Sequence, residues 1–459
     1  MNLKYRRILY SSFIALFLII TPIVTFYAAG YRYNLKKHRI EKTGILYLDS
    51  KPRGAQIFIN GKYQNKTPAR FPYLLPDIYQ VEVKKEGYHS WQKNLEIKSN
   101  LTTFGKDIVL FKNNLPINII QGDINIFVIS PSQDKIIYSI IKDNLEELRL
   151  FNLNNKTDFL IKDFNKQKND ELEFISWSLN PNKILVKNQT AQFNKYLVVD
   201  IDTLKIKELF DITRLNFDKV AWDSVNENYL YGLSKKILYQ IDLANNSAKQ
   251  ILPNEIQDFE TRGNDIYYIN TIKNESYLNK FYLTPPAQIV DQVEKIKLIA
   301  GAKFSLQNSP ANYVILLDKN SNDLFIINTK VFIDGDINKN IVLQDKAQKI
   351  IWSLDNKNLL YYTDLEIRIF NLDTQQKSLV TRYGSVINQA AWYPTNKYLV
   401  YQVENAIRII ETSSQEPRND LKIAELQKIT SFIIDNAGKN IYFVGQAGAL
   451  QGIYQLEIQ

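Results

Sequence analysis

The most chemistry-like stretch of this 459-residue sequence is Asp334-Gly-Asp336-Ile-Asn338, where oxygen-bearing side chains alternate as they do at the start of a calcium loop. The pattern then departs from one. Its sixth position is Lys339, where such a loop needs glycine for a sharp turn, and its twelfth is Asp345 in place of a bidentate glutamate. The stretch reads as a polar loop between strands. Two histidines, His38 and His89, cannot build a multi-histidine metal site and leave almost no room for a Ser-His-Asp arrangement. The absence of cysteine excludes disulfides, thiolate zinc sites, iron–sulfur clusters and a thiol nucleophile. There is no Walker loop, no GxSxG elbow and no HExxH. The 48 acidic residues could still provide a carboxylate pair for glycoside hydrolysis, but no pair stands out. No catalytic, cofactor-binding or metal-ligating residue is assigned, no cofactor is expected, and the chain is not expected to be an enzyme.

The distribution of charge points to a membrane surface. The formal charge is +9, but residues 1–42 hold eight Lys/Arg against one Glu, and residues 43–112 hold eleven basic against six acidic side chains. Residues 113–459 are slightly acidic, with 38 basic and 41 acidic side chains, so nucleic acid is not an expected partner. No charge occurs between Arg7 and Arg32. The 23 residues from Ile8 to Gly30 suffice to cross a hydrocarbon layer of about 30 Å. Tyr10, Tyr27 and Tyr31 sit where interfacial aromatics gather, and Pro22 is tolerable in such a helix. Residues 1–30 are read as a transmembrane anchor. A cleaved signal peptide is the alternative, although its apolar region would normally be shorter. Basic residues flank both ends, so charge bias leaves orientation open. Residues 31–42, with His38, are expected to be a juxtamembrane stalk.

Residues 43–112 alternate apolar and polar positions in about five strands, among them Ile45–Leu48, Ala55–Ile59 and Ile78–Lys84. Asn60-Gly61 is a strong hairpin signal. The run Ser50-Lys-Pro52-Arg-Gly54-Ala55, then Asn60-Gly61, Thr67-Pro68, Tyr79-Gln-Val-Glu-Val and Gly87-Tyr88 resembles the PEGA domain. Arg53 replaces the glutamate of the family's signature, and Asp77 stands where a glycine is usual. The resemblance implies a small extracytoplasmic β-sandwich used for binding or spacing. Trp91 is read as a packing residue, with ligand stacking as the alternative, and His89 as a surface residue.

Residues 113–459 repeat. Trp177-Ser178, Trp222-Asp223, Trp352-Ser353 and Trp392-Tyr393 open similar units, spaced by 45 residues for the first pair and 40 for the last. Each continues as a polar turn, an apolar strand, and a strand ending in Asp or Asn. Copies without tryptophan begin near Phe127, Ile256, Phe304 and Phe432. Eight units of this length match a four-stranded blade. The chain should be all-β, with an eight-bladed β-propeller over 113–459. Seven blades is the alternative, because the copies at 256–300 and 301–348 are irregular. The last unit lacks one strand, which residues 115–120 should supply to close the ring. The pattern resembles WD40-like and Tol-type periplasmic propellers in architecture, without the Gly-His and Trp-Asp dipeptides of true WD40 repeats. The tryptophans are read as blade packing.

The expected protein is a single-pass membrane protein of the bacterial envelope, with its N-terminus cytoplasmic and its bulk extracytoplasmic. It would bind or scaffold an envelope protein, glycan or peptidoglycan. A propeller enzyme acting on glycans through acidic residues is the alternative, and clustered carboxylates at a channel mouth would favour it.

Overall fold

Helix Leu3–Ala28, uncharged after Arg7, is exposed on every described side and long and apolar enough to cross a membrane. Its hydroxyls bond inward: Ser12 Oγ donates to the Ile8 carbonyl at 2.9 Å and Thr25 Oγ1 to that of Thr21 at 2.7 Å. The computed structural model describes residues 3–167, 169–191, 193–252, 255–283, 295–299, 302–310, 312–329, 340–415 and 417–459. The calcium-loop-like stretch Asp334–Asn338 and Lys339 lie outside the described residues.

Residues 31–42 form a β-hairpin where the sequence reading has a stalk. Tyr31–Asn34 pairs antiparallel with Arg39–Lys42. Buried Asn34 organises the turn, donating to Glu41 Oε2 at 2.6 Å and accepting from the Lys36 and Lys37 amides. His38 occupies its left-handed corner.

The small β domain is a two-sheet sandwich. One sheet orders Lys62–Lys66, Gln56–Ile59, Ile78–Lys84 and Trp91–Glu96; the other orders Ala69–Leu74, Gly44–Lys51 and Thr102–Val109. Alternate residues point inward, so Leu46, Leu48, Ile57, Val81, Val83, Trp91 and Leu95 form its core. Asn60 and Gly61 both take positive φ, as a two-residue hairpin turn with right-handed twist requires. Pro68 stands just before the edge strand Ala69–Leu74, where no ladder donor is lost.

The chain divides into two compact units, Met1–Leu115 with Arg408–Ile423 and Glu457–Gln459, and Pro116–Ile407 with Ala424–Leu456. Inside the first unit a charge pair is almost fully buried. Lys93 Nζ lies 2.7 Å from Glu411 Oε2, with the two side chains 5% and 7% exposed, and Trp91 Nε1 donates to Glu411 Oε1 at 2.5 Å.

Beyond the sandwich come eight four-stranded sheets. Blades 1–7 span residues 123–165, 171–208, 219–252, 256–297, 304–346, 349–382 and 387–425. Blade 8 spans 428–457 and takes Ile117–Gln121 as its outer strand, paired antiparallel with Leu450–Glu457. First strands lie side by side between blades 1 and 2, 2 and 3, 3 and 4, 4 and 5, and 7 and 8, and that of blade 8 lies beside that of blade 1, so the ring closes. The eight-bladed reading holds, and so does the clasp expected from residues 115–120. Second strands are buried on both faces, as in Tyr398–Val403, because each is covered by the blade before and the blade after. The core is therefore a series of layers between blades. One joins Ile137 and Leu148 of blade 1 to Ile184 and Val199 of blade 2, and another joins Tyr138 of blade 1 to Tyr442 and Ile453 of blade 8.

The repeat residues build the turns. Between first and second strands, Ser130, Ser178 and Ser353 place Oγ 3.0–3.2 Å from the amide five residues on, and Asp435 does the same at 2.9 Å. Between third and fourth strands, Asn152, Asp200, Asp242 and Asn371 accept amides two or three residues ahead. In each of these four the residue four positions on is left-handed: Lys156, Leu204, Asn246 and Gln375. The strand-terminal Asp or Asn of the repeat is thus an Asx-turn residue.

Two stability predictions follow from this architecture. A Cβ on Gly452, at φ +151°, would meet the Ile120 carbonyl oxygen at 1.9 Å across the clasp. Gly452→Ala should destabilise the ring by about 1–3 kcal/mol, read as a lower thermal midpoint by tryptophan fluorescence, whereas Gly263→Ala, with open space around its Cβ, should cost less. Glu411→Ala strands a buried ammonium and should cost about 3–5 kcal/mol in denaturant unfolding. Lys93→Met with Glu411→Leu should recover most of that loss, and failure to recover would mean the pair contributes more than packing can replace.

Candidate functional site

Strands alternate direction along a blade. Turns between first and second and between third and fourth strands therefore share one face, and the remaining connections share the other. The first face carries the Ser and Asx turns. The tryptophans lie at its blade junctions: Trp352 Nε1 donates to the Asn308 carbonyl at 3.0 Å and Trp392 Nε1 to that of Ile351 at 3.1 Å, each reaching back one blade. Trp222 is buried in the layer between blades 2 and 3, and Trp177 packs against the layer between blades 1 and 2. Their packing role is what the repeat pattern implied.

The second face is less regular. Between blades 2 and 3 the chain inserts helix Leu209–Thr213, closed by left-handed Arg214. Beside it a pocket of about 300 Å³ is lined by Phe193, Lys195, Glu208, Phe210, Asp211 and Asn216. Both phenylalanines are 38% exposed. Lys195 Nζ stands 5.2 Å over the Phe193 ring and the Arg214 guanidinium 5.9 Å over Phe210. Exposed aromatic faces ringed by mixed charge suit an apolar side chain carried on a polar partner. Neither residue was singled out from sequence. The available signal was the first tryptophan spacing, longer than the last by five residues, which is the length of this helix.

Carboxylates in the propeller serve as struts. Asp258 accepts from Lys219 Nζ at 2.6 Å and from the Leu306 amide at 2.8 Å, joining blades 3, 4 and 5. Glu146 accepts from Ser139 Oγ, Asn125 Nδ2 and Lys166 Nζ at 2.7–2.8 Å. Burial pushes Glu260 above the usual carboxylate range, against the opposing pull of Arg262, 3.0 Å away, and of the Ser309 amide at 3.1 Å. Both its oxygens are therefore engaged, and it presents no open proton donor. Gln389 plays a neutral version of this part, exchanging two hydrogen bonds with the Phe432 backbone of the next blade at 2.8 and 2.9 Å. Asp345, the twelfth position of the calcium-like stretch, accepts from Tyr361 and Lys377 at 2.9 Å each. Among the described residues no three His, Cys, Asp or Glu side chains form a group able to hold a metal. His89 is half-buried instead of lying on the surface, and burial lowers its imidazole pKa. Trp91 is buried with its indole N–H engaged, which matches packing and not ligand stacking.

On the small β domain, Gln56, Lys66, Lys84, Lys85 and Tyr88 line a shallow depression of about 670 Å³. Two of its cations are already engaged, Lys85 by the Arg53 carbonyl at 2.7 Å and Lys84 by Glu82 at 2.9 Å.

Comparison with known proteins supports both halves. Residues 43–110 match the PEGA domain family. The propeller is similar to the C-terminal WD40 domain of Sif2, with a TM-score of 0.52 and 11% identity over 75% of this chain and 99% of that one. The β-propeller domain of Cps50 (Swd1) from Myceliophteria thermophila aligns with a TM-score of 0.44 and 12% identity over 75% and 99%. At 11% identity the likeness to the Sif2 domain concerns the fold alone. No curated protein matches at the sequence level.

The Asp345 cluster makes a pH prediction. Burial raises this carboxyl, but hydrogen bonds from Lys377, the Lys346 amide and Tyr361 outweigh it and hold its folded pKa below the ordinary 3.8. A depressed folded pKa stabilises the native state above the unfolded value, and the contribution is lost as pH falls through the folded value. Asp345→Asn should lower the thermal midpoint at pH 7 and shrink the difference between pH 7 and pH 3. An unchanged acid slope in the variant would remove Asp345 from the acid response.

Proposed function

We propose that the chain is a membrane-anchored, non-catalytic binding protein of the bacterial cell envelope, and that it recognises a protein partner through the irregular face of its propeller. The fold pairs a PEGA domain with a β-propeller, which supports a binding or scaffolding role. The observation that carries the finer reading is the pocket of Phe193 and Phe210. Among the described residues it sets two half-open aromatic rings side by side in one pocket, and its charged rim can select orientation. In this reading residues 1–30 are the anchor, 31–42 join it to the PEGA domain at 43–112, and 113–459 bind. The N-terminus is cytoplasmic and the bulk lies outside. Buried carboxylates tied to Lys, Arg and backbone amides support structural work in preference to glycan chemistry.

The test uses the full chain, extracted from its own membranes in mild detergent and used for affinity capture. The expected result is an envelope protein that co-purifies with the parent chain. Phe193→Ser with Phe210→Ser should lose it by at least about tenfold, since two aromatic anchors typically carry 1–2 kcal/mol or more each. Circular dichroism should report the same strand content in both. Unchanged capture would remove the pocket from the interface. Recovery of the chain in the soluble cytosolic fraction, or turnover of envelope glycan by the purified chain, would overturn the wider reading.

A further inference from the structure

The end of the PEGA domain that receives the helix carries a collar of cations and exposed apolar side chains. We propose that this collar is a docking surface for anionic phospholipid headgroups of the leaflet in which the helix ends. The inference rests on the anchoring reading above.

The helix joins the sandwich without slack. Thr43 returns to the end of the helix, its amide and hydroxyl both donating to the Gly30 carbonyl at 2.9 and 2.8 Å. The twelve residues between are folded into the hairpin. That hairpin is pinned to the sandwich by Lys36 on Asp77 at 3.3 Å and by Lys37 Nζ on the Pro76 carbonyl at 3.2 Å. Once the helix is inserted, the loops at this end of the sandwich stay next to its last turn.

The side chains at this junction also suit a headgroup layer. Arg32 donates to the Tyr27 carbonyl at 2.6 Å, a cation on the last turn of a helix where the macrodipole favours one. It also stacks 3.5 Å from the Tyr27 centroid and 4.7 Å from that of Tyr73, which belongs to strand Ala69–Leu74 of the sandwich. Helix and domain thus share one aromatic belt of the kind found at headgroup level. Beside it a cleft of about 210 Å³ opens between the helix end and the sandwich, lined by Lys42, Arg70, Tyr73 and Leu101. Leu101 is 56% exposed and Leu35, on the hairpin, 77%. The hairpin carries Arg32, Lys36, Lys37, Arg39 and Lys42 against Glu41 alone. Phosphate-bearing lipids complement these cations, and the acyl boundary would cover the leucines.

The chain has no cysteine, so single labels report depth directly. Leu101→Cys is spin-labelled in the full chain reconstituted into vesicles of phosphatidylcholine with phosphatidylglycerol. Gln56→Cys is the control, because Gln56 pairs with Lys84, at the far end of a strand that starts beside Asp77. Expected is relaxation of the Leu101→Cys label by lipid-soluble oxygen and of the Gln56→Cys label by a water-soluble nickel chelate. Lys42→Glu with Arg70→Glu should move the first label into water, cutting the seated fraction by about tenfold or more, and phosphatidylcholine alone should do the same. The milder Lys42→Gln with Arg70→Gln should give an intermediate loss and guards against misfolding. A water-exposed Leu101→Cys label on a helix that resists alkaline extraction overturns the docking surface and leaves the anchor intact. A label equally lipid-exposed in neutral vesicles overturns the requirement for anionic headgroups. Extraction of the parent chain at alkaline pH overturns the anchor itself, and the docking surface with it.

Discussion

The propeller depends on one stretch of strand pairing. Ile117–Gln121 joins Leu450–Glu457, so the first propeller strand completes the last blade. Without that pairing the eight blades are a row of sheets, each stabilised only by the layers it shares with its neighbours, with an open edge at either end. With it, blade 8 is held against blade 1 and the layer around Tyr138, Tyr442 and Ile453 is buried. Such closure brings together residues more than 300 positions apart, so its entropic cost has to be met by many layers at once. Close approach at Gly452 follows from this. The clasp joins two strands that no short turn holds in register.

The clasp strand also continues past the ring. Lys112 donates its amide to the Ile458 carbonyl at 3.0 Å and pairs with Glu457 at 2.5 Å, within the unit that contains the PEGA domain. The same unit holds the buried Lys93–Glu411 pair. Buried ion pairs are weak sources of stability but strong sources of specificity when one partner cannot be satisfied elsewhere. Lys93 and the indole N–H of Trp91 both donate to the Glu411 carboxylate, one to each oxygen. Residues distant in sequence are thereby committed to one arrangement.

Much of this was legible from residues alone. Asn60-Gly61 named its own hairpin, and the Trp-Ser and strand-end Asp or Asn positions marked turns because each does local hydrogen-bonding work within five residues. Local chemistry of that kind leaves a trace in local spacing. The hairpin at 31–42 was not legible, because its strands mix charged residues with a few exposed or half-buried apolar ones and bury only Asn34. Nothing in a basic linker announces that Asn34 will find Glu41. The Phe193–Phe210 pocket was hidden for a different reason. In a chain with 23 phenylalanines, only the fold tells which two remain exposed together.

The carboxylates of the propeller interior do structural work, and the comparison with a catalytic acid shows why. A general acid requires a carboxyl that is kept protonated by its surroundings and yet faces open space. Glu260 meets the first condition, since burial raises its pKa, and fails the second, since Arg262 and Ser309 occupy its oxygens. Asp345 fails the first, because Lys377 and Tyr361 favour its ionised form. Asp258 is spent on a neighbouring blade's amide. A ring of stacked sheets leaves inner-strand amides and carbonyls facing the next blade, where no ladder partner exists, and a short carboxylate or amide side chain is the group that reaches them. Asp258, Glu260 and Asp345 are thus all engaged in holding neighbouring strands and blades together.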